Sequence, residues 1–190
     1  MLWAPEPARV AETRIQQFAG FAAQAGAPAG LDMSSDYALL HRWSIDEPQR
    51  FWGAVWRFTG VMSDAGREPQ DDRVCTAATT ERPSTWPEHG FGPEHRPVWF
   101  PELRLNFAEN LLQAAADEIA LIEWNEEGLQ GELTFGELRR EVAAFAGALR
   151  ALGIEPGDRV AAVLPNGRHA IIAALGSAAV GAVWSSCSPE

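Results

Sequence analysis

Between Ala120 and Cys187 the hydrophobic pattern switches repeatedly between a strand period and a helix period, and this alternation restricts that part of the chain to an α/β architecture. Residues 120–124 and 132–135 read as strands, joined as a hairpin by a loop that holds Glu126, Glu127, Gly128 and Gly131. A helix is predicted over 135–152, with Thr134 as N-cap, Glu137 three residues on, and apolar side chains at 135, 138, 142, 145, 149 and 152. Gly153 can end it in the left-handed conformation. Glu155-Pro156-Gly157-Asp158 then makes a turn, 160–164 an almost unbroken apolar strand, 170–180 an apolar helix, and 182–187 a last strand.

Strands and helices in this order, with short loops, predict a parallel sheet with right-handed crossovers. Strands so apolar are buried on both faces in such a sheet, and the rest of this chain can cover those faces only in part. An incomplete parallel sheet is therefore expected, with an edge that favours self-association.

Residues 1–104 have a different character. Val10, Ile15, Phe18 and Ala22 suggest one helix, broken by Gly26, Pro28 and Gly30. A second helix is predicted from Pro48, capped by Ser44 or Asp46, with Phe51, Trp52, Val55 and Trp56 as its apolar stripe and Gly60 as its stop. Between Ser63 and Pro101 prolines and charges recur without periodicity, which predicts an irregular, wrapping segment with at most short strands. Asn106 and Glu109 have capping-box spacing before Phe107, Leu111, Leu112 and Ala115. The expected organisation is a helical and Pro-rich extension over 1–104 and an α/β part over 105–190.

With 46% hydrophobic residues and 8 Trp, the chain can bury a core. Its net charge of −11 opposes binding to phosphate backbones or anionic lipid, so neither nucleic acid nor membrane is an expected partner. All 15 basic residues are Arg, which removes every mechanism that needs a lysine ammonium within these residues, a P-loop included. Cys75 and Cys187 lie far apart in unlike segments, which suggests a reducing cytoplasm rather than a disulfide framework or a zinc site. Pro5, Glu6 and Pro7 interrupt the place where a signal peptide needs its apolar run, and Gly176 and Gly181 divide the long uncharged stretch 170–188 into helix and strand.

Gly176-Ser177-Ala178-Ala179-Val180-Gly181 has the glycine spacing of a phosphate loop but lacks the Lys and hydroxyl residue that should follow, so the glycines are expected to serve helix packing and a turn. His89 and His95, with Glu88 or Glu94, do not complete a ligand set, and no metal is expected. His41 and His169 are read as structural or solvated, and the acid pairs Asp71-Asp72 and Glu126-Glu127 as solvated loops. Cys187 falls at the carboxyl end of a predicted parallel strand, where open α/β sheets place ligands. It reads as plain core or, second, as pocket wall, without a base that would make it a nucleophile.

Several runs resemble acetoacetyl-CoA synthetases: Leu2-Trp3-Ala4-Pro5, His41-Arg42-Trp43-Ser44, Phe51-Trp52, Val55-Trp56, the stretch from Trp99 through Leu105-Asn106-Phe107-Ala108-Glu109-Asn110 to Leu112, and Gly181-Ala182-Val183-Trp184-Ser185-Ser186-Cys187-Ser188-Pro189-Glu190. Leu133-Thr134-Phe135, Gly157-Asp158-Arg159-Val160 and Pro165-Asn166 are similar to the wider adenylate-forming superfamily. The resemblance implies that 105–190 begins the AMP-binding α/β domain. It also implies a full-length enzyme that uses Mg2+, ATP and CoA to convert acetoacetate to an acyl-adenylate and then to its CoA thioester.

By the same resemblance the phosphate-binding loop, the ribose-binding Asp and the catalytic Lys come after the position matching Glu190. No catalytic residue is therefore assigned, and the stretch alone is expected to be inactive and to bind none of these cofactors. Trp184, Ser185, Ser186, Cys187 and Ser188 are expected to approach the acyl and pantetheine tunnel. The chain departs from the family pattern at Glu102-Leu103, at Gly167-Arg168-His169 where Pro-Glu is common, and at Glu190. Two alternatives remain: a non-catalytic interaction or folding module, and a ligase for another short acid such as acetate.

Overall fold

The computed structural model describes residues 5–31, 37–70, 73–76 and 98–189. The chain divides into two compact units, Met1–Arg104 and Leu105–Glu190.

The first unit contains α1 (Pro7–Ala11), α2 (Arg14–Gln24), α3 (Tyr37–Asp46) and α4 (Pro48–Thr59). The single helix expected first is interrupted at Thr13, whose backbone is extended (φ −70°, ψ 148°). Its hydroxyl donates to Val10 O at 2.7 Å and accepts the Gln16 N–H at 3.3 Å, so one side chain closes α1 and caps α2. Sequence periodicity does not announce α3, which buries only Leu40 and Trp43. Pro48 does open α4, but the cap is Glu47 without a side-chain bond, because Asp46 ends α3 and Ser44 donates to His41 O. Gly60 stops α4 in the left-handed region, at φ 66°.

Phe18, Ala22, Leu40, Trp43 and Ala54 form the core of this unit. Phe51 meets Trp43 edge-on at 5.2 Å, a preferred arrangement of ring quadrupoles. Trp52 stays 40% exposed, so the stripe on α4 does not face wholly inward. The short strands β1 (Cys75–Thr76) and β2 (Val98–Trp99) pair antiparallel. The Gln49 amide accepts the Cys75 N–H and donates to Cys75 O, occupying the place a further strand would take. Asp71, Asp72, His89 and His95 lie outside the described residues.

The second unit opens on α5 (Phe107–Leu111), capped by Asn106, which accepts the Glu109 N–H at 3.2 Å. The side expected to be buried is partly outward, with Phe107 and Leu111 exposed. Of the expected residues Leu112 does pack on the core, joined there by Ala108, which is buried. The hairpin strands β3 (Ile119–Asn125) and β4 (Gly128–Thr134) run longer than their apolar runs, leaving Glu126-Glu127 as the turn. Phe135 belongs to the next helix rather than to β4.

That helix, α6 (Phe135–Ala151), carries the expected capping box: Thr134 Oγ1 accepts the Glu137 N–H at 3.3 Å and the Glu137 carboxylate accepts the Thr134 N–H at 2.9 Å. The Thr134 main-chain N–H and then its hydroxyl, both donated to the carboxylate, hold the Glu137 carboxyl below its ordinary pKa. Gly153 follows at φ 80°. Leu138, Val142, Ala146 and Leu149 are buried, whereas Phe145 is half-buried against α7 (Arg168–Ala179). Strands β5 (Arg159–Val163) and β6 (Val183–Cys187) flank α7 and pair in parallel, from Arg159 opposite Val183 to Val163 opposite Cys187.

The parallel arrangement thus holds for β5, α7 and β6. It does not extend to β4, whose ladder partner is β3 while β5 and β6 form a separate two-stranded sheet. The hairpin is held against the helices by packing of Ala120 and Leu121 with α6 and α7 and by an ion pair from Glu123 to Arg168 of α7.

The α6–α7 contact generates a test. A Cβ on Gly176 would stand 2.7 Å from Phe145 Cδ1 and 3.3 Å from Phe145 Cβ. Gly176→Ala is expected to destabilise by about 1–3 kcal/mol through overpacking. In a Phe145→Ala background that penalty should fall below about 0.5 kcal/mol, as in a coupled double-mutant cycle. Equal penalties in both backgrounds, measured by denaturant unfolding, would show that the two residues do not meet.

Candidate functional site at the carboxyl end of the parallel strands

In a parallel pair the side chains of matched residues share a face, so the register of β5 and β6 distributes the candidate residues. One face meets the helices, where Val160 and Ala182 pack against Ala146, Leu149 and Val180. The opposite face carries Arg159, Ala161, Val163, Val183, Ser185 and Cys187, all exposed, with Val163 at 63% and Val183 at 53%. Trp184 alternates to the helix side and is half-buried, and Ser186 shares its direction. Ser188 follows the strand and is exposed.

The five residues singled out in sequence therefore divide. Ser185 and Cys187 share the open face of the sheet, Trp184 and Ser186 point the other way, and Ser188 stands beyond the strand. Cys187 is exposed, which corrects its assignment to the core. Cys75 is the buried cysteine, and burial pushes its thiol pKa up.

Both strands end at the same edge, and the Leu164 N–H donates to Cys187 O at 3.2 Å, extending the ladder one step past β5. The loop 164–167 then leads into α7, whose N-cap is Gly167. Glu123 of β3 supplies what a glycine cap lacks: Oε1 accepts the Arg168 N–H at 3.1 Å, and Oε2 accepts the Arg168 Nε–H at 2.7 Å. The Arg168 guanidinium and main-chain N–H hold the Glu123 carboxyl below its ordinary value. Beside them lies a cavity of about 250 Å³ whose walls include Leu121, Trp124, Asn166, Gly167 and Ile171.

Sequence reasoning missed this ion pair because its partners are 45 residues apart and neither sits in a motif. The available signal was the departure at Gly167-Arg168, where an Arg begins a helix that offers its own backbone donors to anions. Gly176 and Gly181 serve packing and a turn: Gly176 lies inside α7, and Gly181 has φ 79° beside Pro156. His41 and His169 are exposed on α3 and α7. Among the described residues no group of three His, Cys, Asp or Glu side chains could hold a metal ion, and no helix is long and apolar enough to cross a membrane.

Residues 107–190 match the model of a family described as AMP-binding enzyme. The whole chain aligns with an acetoacetyl-CoA synthetase of Danio rerio at 38% identity, spanning 25% of that protein. A malonamoyl-CoA synthetase of Penicillium aethiopicum is 39% identical over 81% of the chain and 20% of its own length. The structure of an acetoacetyl-CoA synthetase from Streptomyces lividans superposes with a TM-score of 0.78 at 40% identity, covering 99% of this chain and 26% of that one. The chain thus spans about a quarter of the length of the synthetases it matches. Over its whole length the chain is similar to a part of the acetoacetyl-CoA synthetases, and over residues 107–190 to the AMP-binding enzymes.

Proposed function

We propose that these residues are the N-terminal part of a ligase that activates acetoacetate with ATP and passes the acyl group to CoA. The likeness to a solved acetoacetyl-CoA synthetase over 99% of the chain carries this reading. A carboxylate oxygen would attack the α-phosphorus of ATP, releasing pyrophosphate. The CoA thiol, losing its proton, would then attack the acyl carbon and expel AMP. Adenylation is what makes the second step feasible, because AMP leaves far more readily than oxide from a carboxylate.

The catalytic charges of such a reaction need cations aimed at the phosphates. The chain has no Lys, and the described residues gather no carboxylate set suited to Mg2+, so no step through Mg2+ is assigned to them. Their contribution would lie at the carboxyl ends of β5 and β6, where Ser185, Cys187 and Ser188 would line the approach of the acyl and pantetheine groups, while Trp184, half-buried, and Ser186, exposed, alternate to the other face. The division into an extension and the start of an AMP-binding domain belongs to the same reading, supported by the change of architecture at Leu105. So does a cytoplasmic location, supported by two cysteines that lie far apart in unlike segments and do not make a disulfide framework.

The malonamoyl-CoA synthetase relative favours a second substrate reading within the same class. Acetoacetate and malonamate are both short acids with a carbonyl carbon at the β position, and the site is proposed to select that feature. Steady-state assays of the intact protein with acetoacetate, malonamate and acetate test it. The two β-carbonyl acids should exceed acetate in kcat/KM by at least about tenfold, the discrimination expected from one hydrogen-bonded group. Preference for acetate would contradict the assignment, and the 190-residue chain alone should show no acid-dependent pyrophosphate release.

The open face of β5 and β6 is proposed to pair with a second copy when this chain is isolated, since Val163 and Val183 are more than half exposed beside unpaired strand edges among the described residues. Sedimentation of the isolated chain should show concentration-dependent dimers or larger species. A monomer at all concentrations, with slow amide exchange throughout 159–163 and 183–187, would overturn this.

A further inference from the structure

Glu123 and Gly131 stand opposite each other across the hairpin. A Cβ on Gly131 would lie 2.7 Å from Arg168 Nη2, and a Cβ on Gly167 would lie 2.7 Å from Glu123 Oε1. Two glycines on different elements therefore make room for one ion pair, the first under the guanidinium and the second beside the carboxylate. The pair is sheltered, with side-chain exposures of 33% for Arg168 and 25% for Glu123. Its carboxylate sits at the positive end of α7 and satisfies a main-chain N–H that Gly167 has no side chain to reach.

The consequence falls on the loop 164–167. One end is tied to β6 through Leu164 N–H and Cys187 O, and the other is tied to the hairpin through Arg168 and Glu123. Without the second tie the loop would hang from a glycine, the residue with the widest backbone freedom. It borders the strand end that carries Cys187 and Ser188.

We propose that Glu123 is a positioning residue for the ligase reaction: through Arg168 it fixes the loop 164–167 so that this loop and the end of β6 together receive the acyl and CoA groups. This rests on the ligase reading given above. Glu123 touches neither reactant. Its effect is to hold one wall in place before the reactants arrive, which lowers the ordering cost of binding.

The test uses the intact protein and the variants Glu123→Gln, Arg168→Gln and Gly131→Ala. In Glu123→Gln, amide exchange over 164–168 should accelerate about tenfold and KM for acetoacetate and CoA should rise about tenfold, as for loss of a charge-assisted hydrogen bond. With the chemistry itself untouched, kcat should change by less than about threefold. Arg168→Gln keeps the main-chain bond to Glu123, so its effects should have the same sign and be smaller. Gly131→Ala, which displaces the guanidinium, should resemble Arg168→Gln. Should Glu123→Gln fail to fold, these two variants decide alone.

Unchanged exchange over 164–168 would overturn the proposal, and so would faster exchange with kcat reduced and KM unaltered. A wild-type protein without acid- and CoA-dependent turnover would overturn the ligase reading and the positioning role of Glu123 in that reaction with it. The exchange measurement would still report whether the ion pair holds the loop, so the two failures are distinguishable.

Discussion

Gly176 brings the backbone of α7 so near to α6 that a methyl group in its place would meet the Phe145 ring at 2.7 Å, and the second unit is arranged around that approach. With α7 close, Leu138 and Val142 of α6 share a cluster with Ile172 and Leu175 of α7, and Ala108 of α5 fits beneath them. Asn106 donates to Ala179 O at 3.2 Å, which fastens the start of the unit to the end of α7. Farther along, Ala146, Leu149 and Val180 receive Val160 and Ala182 of the sheet. A larger residue at 176 would push α7 outward, and the strands flanking it would have to follow.

Local chemistry made much of this unit legible in sequence. The capping box at Thr134, the left-handed Gly153 and the apolar stripe of α6 are short-range signals, and each bond involved spans only a few residues. The stripe misled at two points: spacing places Phe145 inside, but it is half-buried beside Gly176 while the small Ala146 is buried, and Leu152 at the end of the stripe is exposed. Periodicity reports which side of a helix is apolar, and cannot report which side chain fits a close helix contact. The division of the first helix at Thr13 depends on a hydroxyl choosing two local backbone partners over helix continuation.

The long-range features were hidden for the same physical reason. The ion pair of Glu123 and Arg168 and the pairing of Gln49 with Cys75 join residues whose meeting is decided by tertiary packing. The candidate site was legible in part: the end of β6 was located, but strand alternation sends its residues to opposite faces and leaves Cys187 exposed. The loop 164–167 holds the recognisable Pro165-Asn166, but its anchor, Glu123 on β3, lies in no motif.

The central claim is that this strand end belongs to an adenylate-forming ligase. Its most direct test is a single turnover of the intact protein with ATP and acetoacetate in the absence of CoA, followed by mass spectrometry. The account predicts acetoacetyl-AMP and pyrophosphate in equal amounts, with the adenylate consumed when CoA is added. Formation of ADP and phosphate, or no acyl-adenylate while the protein remains folded, would contradict it.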